Sequence, residues 1–235
     1  EGGTPVYFGD GNTWNTVVDD IYVLHQRLKQ RYPDVPLCIM GHSMGSFLTR
    51  TYLIRYPGTV KAAVIMGTGW QPRAAITGGL ALANAIAAVS GENATSELVT
   101  ELAFGSYNKL FAPNRTKVDW LSADESNVDD YIADPLCGAD ATVGLFRQML
   151  HGIRFNQRQS HLRQMDREMP VLFVAGDKDP VGSCGKGVRQ TYDAFRAAGM
   201  RDCTLKLYPG LRHEILNEKA YTADITKNIE AWLLS

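Results

Sequence analysis

A chain of 235 residues, 45% hydrophobic and 21% charged, is long enough to bury a proper core as one enzyme-sized domain. Its formal net charge of −1 excludes a strong electrostatic draw to nucleic acid or to an anionic membrane. The four cysteines (38, 137, 184 and 203) are widely spaced and show no metal-binding pattern, so they read as reduced thiols of a cytoplasmic protein that needs no metal or organic cofactor.

Thr13 to Arg31 reads as a helix, with Val17, Val18, Ile21, Leu24 and Leu28 at helical spacing and Asn12 or Thr13 as its cap. Pro36 to Met40 is a short apolar run that reads as a buried strand, Ser46 to Tyr56 a helix, and Ala62 to Met66 a second strand. Residues 72 to about 160 contain no convincing strand; helices are expected over 74–88, 96–102, 127–132 and 141–153. Strand and helix alternation then resumes with 170–175, 186–198, 203–208 and 219–233. The pattern predicts an α/β fold, a mostly parallel sheet with flanking helices, formed by residues 1–71 and 161–235. Residues 72–160 would be an inserted helical cap over the carboxyl ends of the strands. The longest apolar stretch, Leu80 to Val89, contains Asn84 and is too short to span a bilayer.

Between the first strand and its helix stands Gly41-His42-Ser43-Met44-Gly45, a G-x-S-x-G pattern. Strand, tight turn and helix make this a nucleophile elbow, with Ser43 in a strained backbone conformation and its hydroxyl in a cleft. Glycines 41 and 45 would remove side chains where strand and helix pack together.

A serine nucleophile needs a base, and the base an orienting acid. Of the five histidines, only His213 lies in a loop after a late strand, in Pro209-Gly210-Leu211-Arg212-His213-Glu214. His25 on the first helix and His151 and His161 in an Arg/Gln-rich stretch read as surface residues. The acid is expected after strand 170–175, in Gly176-Asp177-Lys178-Asp179-Pro180. Asp177 fits a turn cap. Asp179 precedes a proline, which favours extended backbone and lets the side chain project. Either aspartate can orient the base, and the loop geometry prefers Asp179.

GHSMGS (41–46), GDKDPV (176–181), RHEILNE (212–218) and DWLSADESNVDDYIADPLCG (119–138) together resemble the α/β-hydrolase superfamily. More narrowly they resemble its monoacylglycerol lipase and lysophospholipase branch, also described as serine aminopeptidase-like hydrolases. The resemblance implies Ser43, Asp179 and His213 as the catalytic triad, and the Met44 N–H as one oxyanion donor. It also implies a His-Gly loop ahead of the elbow as the second donor. No His-Gly precedes Ser43, so the sequence reads as a family member without its first segment. The elbow strand would then be an apolar edge, which a homodimer could cover.

The implied reaction is hydrolysis of carboxylic esters, monoacylglycerol or lysophospholipid in kind. The alternatives are a broad carboxylesterase for short or aromatic esters, or a binding protein that kept the triad without turnover. The cap is expected to select the substrate. Leu80 on the apolar helix, Phe146 and His42 are candidate substrate contacts. Phe104, Phe111, Trp120, Leu145, Met149 and Leu150 are either pocket walls or packing residues. The apolar helix would also let the cap touch a membrane or micelle transiently.

Overall fold

The computed structural model describes residues 6–235, so residues 1–5 of the expected core range lie outside the described residues. Four strands form one parallel sheet in the order β1 (Cys38–His42), β2 (Ala62–Met66), β3 (Val171–Gly176), β4 (Cys203–Tyr208). Cys38 pairs with Ala62, Ala63 with Val171, and Val171 with Cys203, so all four strands run to a common carboxyl end. Sheet residues of odd number (Ala63, Ile65, Val171, Phe173, Ala175) pack with α1 (Thr13–Arg31), α2 (Met44–Arg55) and α9 (Lys186–Ala198). Val64, Met66, Leu172 and Val174 point the other way, onto Ile225 and Ile229 of α10 (Thr222–Leu233). The period of two puts an apolar set on each face, which is why β2 and β3 read as unbroken apolar runs.

The first strand departs from expectation. It begins at Cys38 rather than Pro36 and is only partly buried; Met40 is 55% exposed and Cys38 is exposed as well. Among the described residues β1 has a strand neighbour on one side only. Cys38, Met40, Val64, Leu216, Ile229 and Leu233 line an apolar groove of about 290 Å³ beside it. Leu24 and Leu28 of α1 are also exposed, against the expected apolar stripe; Trp14 and Val18 are the buried residues of this helix. His25 is not a free surface side chain; its Nε2 is 2.8 Å from Thr59 O and its ring stacks on Tyr22.

The segment between β2 and β3 is helical. It contains α3 (Arg73–Ser90), α4 (Glu97–Thr100), a π-helical turn Glu101–Gly105, α5 (Ser106–Lys109), a 3₁₀ turn Asp119–Leu121, α6 (Glu125–Ala133), α7 (Val143–Asn156) and α8 (Gln159–Leu162). Helix α7 packs on α3, α2 and α1, so the insertion shares the main core. Gly152 permits this, since a Cβ there would overlap the Trp14 ring. Enclosed by α1, α7 and the sheet, α2 is buried on all sides from Ser46 to Ile54. Contrary to the reading of its central stretch, α3 as a whole is long and apolar enough to cross a membrane by length and composition, with mean hydropathy 1.3 over 18 residues. It packs on α7 through Ile76, Leu80 and Ala83, and most of its remaining surface is exposed.

Candidate active site

Ser43 sits between the end of β1 and the start of α2, with φ 54° and ψ −122°. A positive φ on a non-glycine residue costs on the order of 1–3 kcal/mol and persists only where the surroundings impose it. Here they do. The Ser43 N–H donates to Met66 O at 3.1 Å, and the Ser43 carbonyl accepts from Ser46 N at 2.9 Å and Ser46 Oγ at 2.6 Å.

The two elbow glycines differ. A Cβ on Gly41 would overlap the Gly45 carbonyl and Thr49 Oγ1, whereas one on Gly45 would meet nothing within 4 Å. The close approach therefore falls at Gly41 alone. Gly41→Ala is expected to destabilise by about 1–3 kcal/mol. Gly45→Ala, within a helix, is expected to be neutral or to add about 0.5–1 kcal/mol. Urea midpoints compare the two directly, and equal losses would refute this account of the turn.

The other candidates arrive from the carboxyl ends of β3 and β4. His213 is 3% exposed, and its Nδ1 lies 3.0 Å from both Oδ1 and Oδ2 of fully buried Asp179. Asp179 Oδ1 also accepts from Val181 N at 2.9 Å, which fixes the carboxylate from its own loop. Asp177 points elsewhere: its Oδ1 accepts from Gly210 N at 2.8 Å, tying the β3 turn to the loop after β4. Gly176 lets these loops meet, because a Cβ there would overlap the carbonyls of Leu211 and Arg212. Met44 opens α2, so its N–H is a first-turn donor with no intrahelical acceptor.

Two aromatic rings lie beside the His213 ring. The His42 ring lies 4.6 Å away and the Trp120 ring 5.2 Å away, centroid to centroid. Trp120 continues into an aromatic group with Tyr107 at 5.2 Å and Phe104 at 6.1 Å, and Phe104 reaches Phe146 at 5.5 Å. Burial, and secondarily the charge of Asp179, pushes the Tyr107 phenol up to about 12, so it stays protonated. Phe146 joins this aromatic group at Phe104, while Leu80 packs in the main core. Below the site, the fully buried Arg50 donates to Gly69 O at 2.9 Å and Thr68 Oγ1 at 3.3 Å, and desolvation lowers its pKa to about 9.

This architecture has clear relatives. A family model described as serine aminopeptidase, S33, matches residues 1–220. The chain belongs to the serine aminopeptidase, S33, family. A monoacylglycerol lipase of Mycolicibacterium smegmatis is 30% identical over 223 residues, covering 93% of this chain and 69% of that protein. The monoglyceride lipase of Mus musculus is 26% identical over 223 residues, covering 92% of this chain and 64% of its own length. The chain therefore spans about two thirds of these curated relatives. The fold matches a Bacillus coagulans carboxyl esterase solved with glycerol, with TM-score 0.88 and 24% identity over 96% of this chain and 72% of that one. Within the S33 family the chain stands among the monoacylglycerol lipase-like carboxylic ester hydrolases.

Two residues of this aromatic group are not marked by the sequence as neighbours of the His213–Asp179 pair. Tyr107 lies in a short helix with no periodic signal, and Trp120 read equally well as packing. His42, a candidate substrate contact, has its Nε2 3.0 Å from the backbone carbonyl of His213. Gly67 makes room for both imidazoles, since a Cβ there would stand 3.1 Å from His42 Nε2 and 3.2 Å from His213 Cε1. Burial first, and then the neighbouring His213, lowers the His42 pKa below the ordinary 6.5, so the neutral ring donates to that carbonyl.

A depressed histidine pKa means that the unfolded chain takes up the proton first as pH falls. Its contribution to stability is complete above 6.5 and is lost as pH drops from there to the folded value. Wild-type protein should therefore lose more of its thermal midpoint between about pH 6.5 and 5 than His42→Gln does. Parallel midpoint curves would show that His42 does not take up this proton on unfolding.

Proposed function

We propose that the chain hydrolyses carboxylic esters of the monoacylglycerol or lysophospholipid kind, with Ser43 as nucleophile, His213 as base and Asp179 as its orienting acid. The observation that carries this reading is the strained Ser43 at the strand end, facing the same end of the sheet as the buried His213–Asp179 pair. His213 Nε2 takes the Ser43 hydroxyl proton as Oγ attacks the ester carbonyl, and Asp179 stabilises the imidazolium that results. The Met44 N–H donates to the oxyanion of the tetrahedral intermediate. Collapse breaks the bond to the alcohol, which leaves with the proton from His213. Water, deprotonated by the same imidazole, then releases the acid and restores Ser43.

The substrate class is supported by the cap. Trp120 beside the base, with Phe104 and Tyr107 packed on it, offers partly exposed apolar surface, which suits an acyl chain. The outer face of α3, whose one charged residue is Arg73 at its first position, supports transient contact between the cap and a lipid aggregate. Four free thiols support a reducing compartment.

A series of nitrophenyl esters and 1-monoacylglycerols of increasing chain length tests the substrate assignment. The expected kcat/KM peaks at medium or long chains. A maximum at the shortest esters would replace the lipase reading with a broad carboxylesterase.

A further inference from the structure

We propose that Trp120 is a positioning residue for the His213 imidazole, and that Arg212 and Glu218 hold Trp120 in place from the loop that carries the histidine. This inference rests on the reading of His213 as the base. Asp179 grips only one edge of the ring, at Nδ1. A ring held by one edge still tilts about that bond, and Nε2 then sweeps away from the nucleophile. Rings packed against the imidazole oppose the tilt. His42, fixed to the His213 carbonyl, fills one region of contact, and Trp120 fills another.

Trp120 lies in a single 3₁₀ turn, Asp119–Leu121, which has little rigidity of its own. Its rigidity comes from hydrogen bonds to the residues around the histidine. Arg212 Nη1 donates to the carbonyl of Asp119, and to that of Ser122 at 2.9 Å, on either side of Trp120. Glu214 N donates to Leu121 O at 2.8 Å. The Glu218 carboxylate is 3% exposed and accepts from Ala123 N at 2.8 Å and from Asp124 N at 3.1 Å. Asp124 is the N-cap of α6, so Glu218 also sits at the positive end of that helix.

From the cap side, Trp120 N donates to Asn108 Oδ1 at 3.0 Å, and the Arg212 guanidinium lies over the Phe111 ring at 4.0 Å. Three carbonyls and two N–H groups of residues 119–124 are thus bonded by residues 212–218. The base and the indole beside it move as one body. Trp120 also belongs to the aromatic group of the cap, so the surface expected to hold the acyl chain and the surface that steadies the base share one side chain.

The test uses Trp120→Ala, Trp120→Phe and Glu218→Gln in the 235-residue chain. Circular dichroism and the thermal midpoint establish folding. ¹⁵N-edited NMR follows the His213 Nδ1–H, and kcat and KM are measured on a short soluble ester beside the rate of fluorophosphonate labelling. Trp120→Ala is expected to broaden or abolish the Nδ1–H signal. It should lower kcat by about 10–10²-fold and leave KM for the short ester within about twofold, the signature of a displaced catalytic group. Trp120→Phe should restore most of both. Glu218→Gln keeps one acceptor oxygen and should give a smaller change in the same direction; it carries the test alone if Trp120→Ala does not fold.

An unchanged Nδ1–H signal in folded Trp120→Ala, or in Glu218→Gln if that variant stands alone, overturns the proposal, whatever happens to kcat. A signal that depends on Trp120 in a protein whose Ser43 is never labelled would uphold the positioning role and refute the catalytic reading.

Discussion

Replacing Ser43 or His213 by alanine is expected to lower ester turnover by about 10⁴-fold or more, with the fold retained. The expectation follows from how the groups depend on one another. Without Oγ there is no acyl-enzyme, and without the imidazole the Ser43 proton has no acceptor at neutral pH. Neither substitution should unfold the chain. Ser43→Ala removes a hydroxyl and leaves the backbone bonds to Met66 and Ser46 in place. His213→Ala opens a space beside Trp120 and leaves the carboxylate of Asp179 bonded to Val181 N. Treatment with a fluorophosphonate followed by intact-mass measurement reads the result directly. Wild-type protein should gain a single adduct, and Ser43→Ala none. His213→Ala should react far more slowly. An adduct on folded Ser43→Ala would move the nucleophile elsewhere, and folded wild-type protein without any adduct would favour a binding protein that keeps the triad without turnover.

The second large effect separates two aspartates that lie two residues apart. Asp179→Asn should lower turnover by about 10⁴-fold, because an amide beside Nδ1 favours the wrong tautomer and leaves the imidazolium without its counter-charge. Asp177→Asn should change turnover by less than about threefold, since the amide oxygen can still accept from Gly210 N and nothing else in the site depends on the charge. Its expected effect is a loss of about 1 kcal/mol at most in stability, from a weakened turn bond. Steady-state rates of both variants on one ester decide the matter. The reverse ranking would assign the acid to Asp177 and would mean that the β3 loop rearranges in solution.

Much of the fold is legible in the sequence. Helix α1, strands β2 and β4 and helix α9 fall at the expected residues, because each combines a strong apolar period with clear boundaries. Boundaries slipped where local signals were weak. The expected helix 219–233 begins only at Thr222, and the stretch after Glu97 passes from α-helix into a π-helical turn at Glu101. The strand before the elbow is shifted two residues from the expected run, to Cys38–His42, and it is only partly buried because burial depends on neighbours that a run of apolar residues cannot name.

Motif and order were enough to nominate Ser43, His213 and the β3 loop, since α/β-hydrolases carry the nucleophile, the acid and the histidine in that chain order. Sequence also supplied a preference for Asp179, through Pro180. Only tertiary structure brought Nδ1 of His213 to 3.0 Å from that carboxylate and turned Asp177 to Gly210, because which side chain projects depends on how two loops meet across Gly176. The Glu218 carboxylate accepts from the backbone N–H groups of Ala123 and Asp124, about a hundred residues earlier in the chain. Backbone donors and acceptors are alike at every non-proline position, so no pattern of residue types can announce such a clamp. What the side chains encode in order, the backbone bonds place in space.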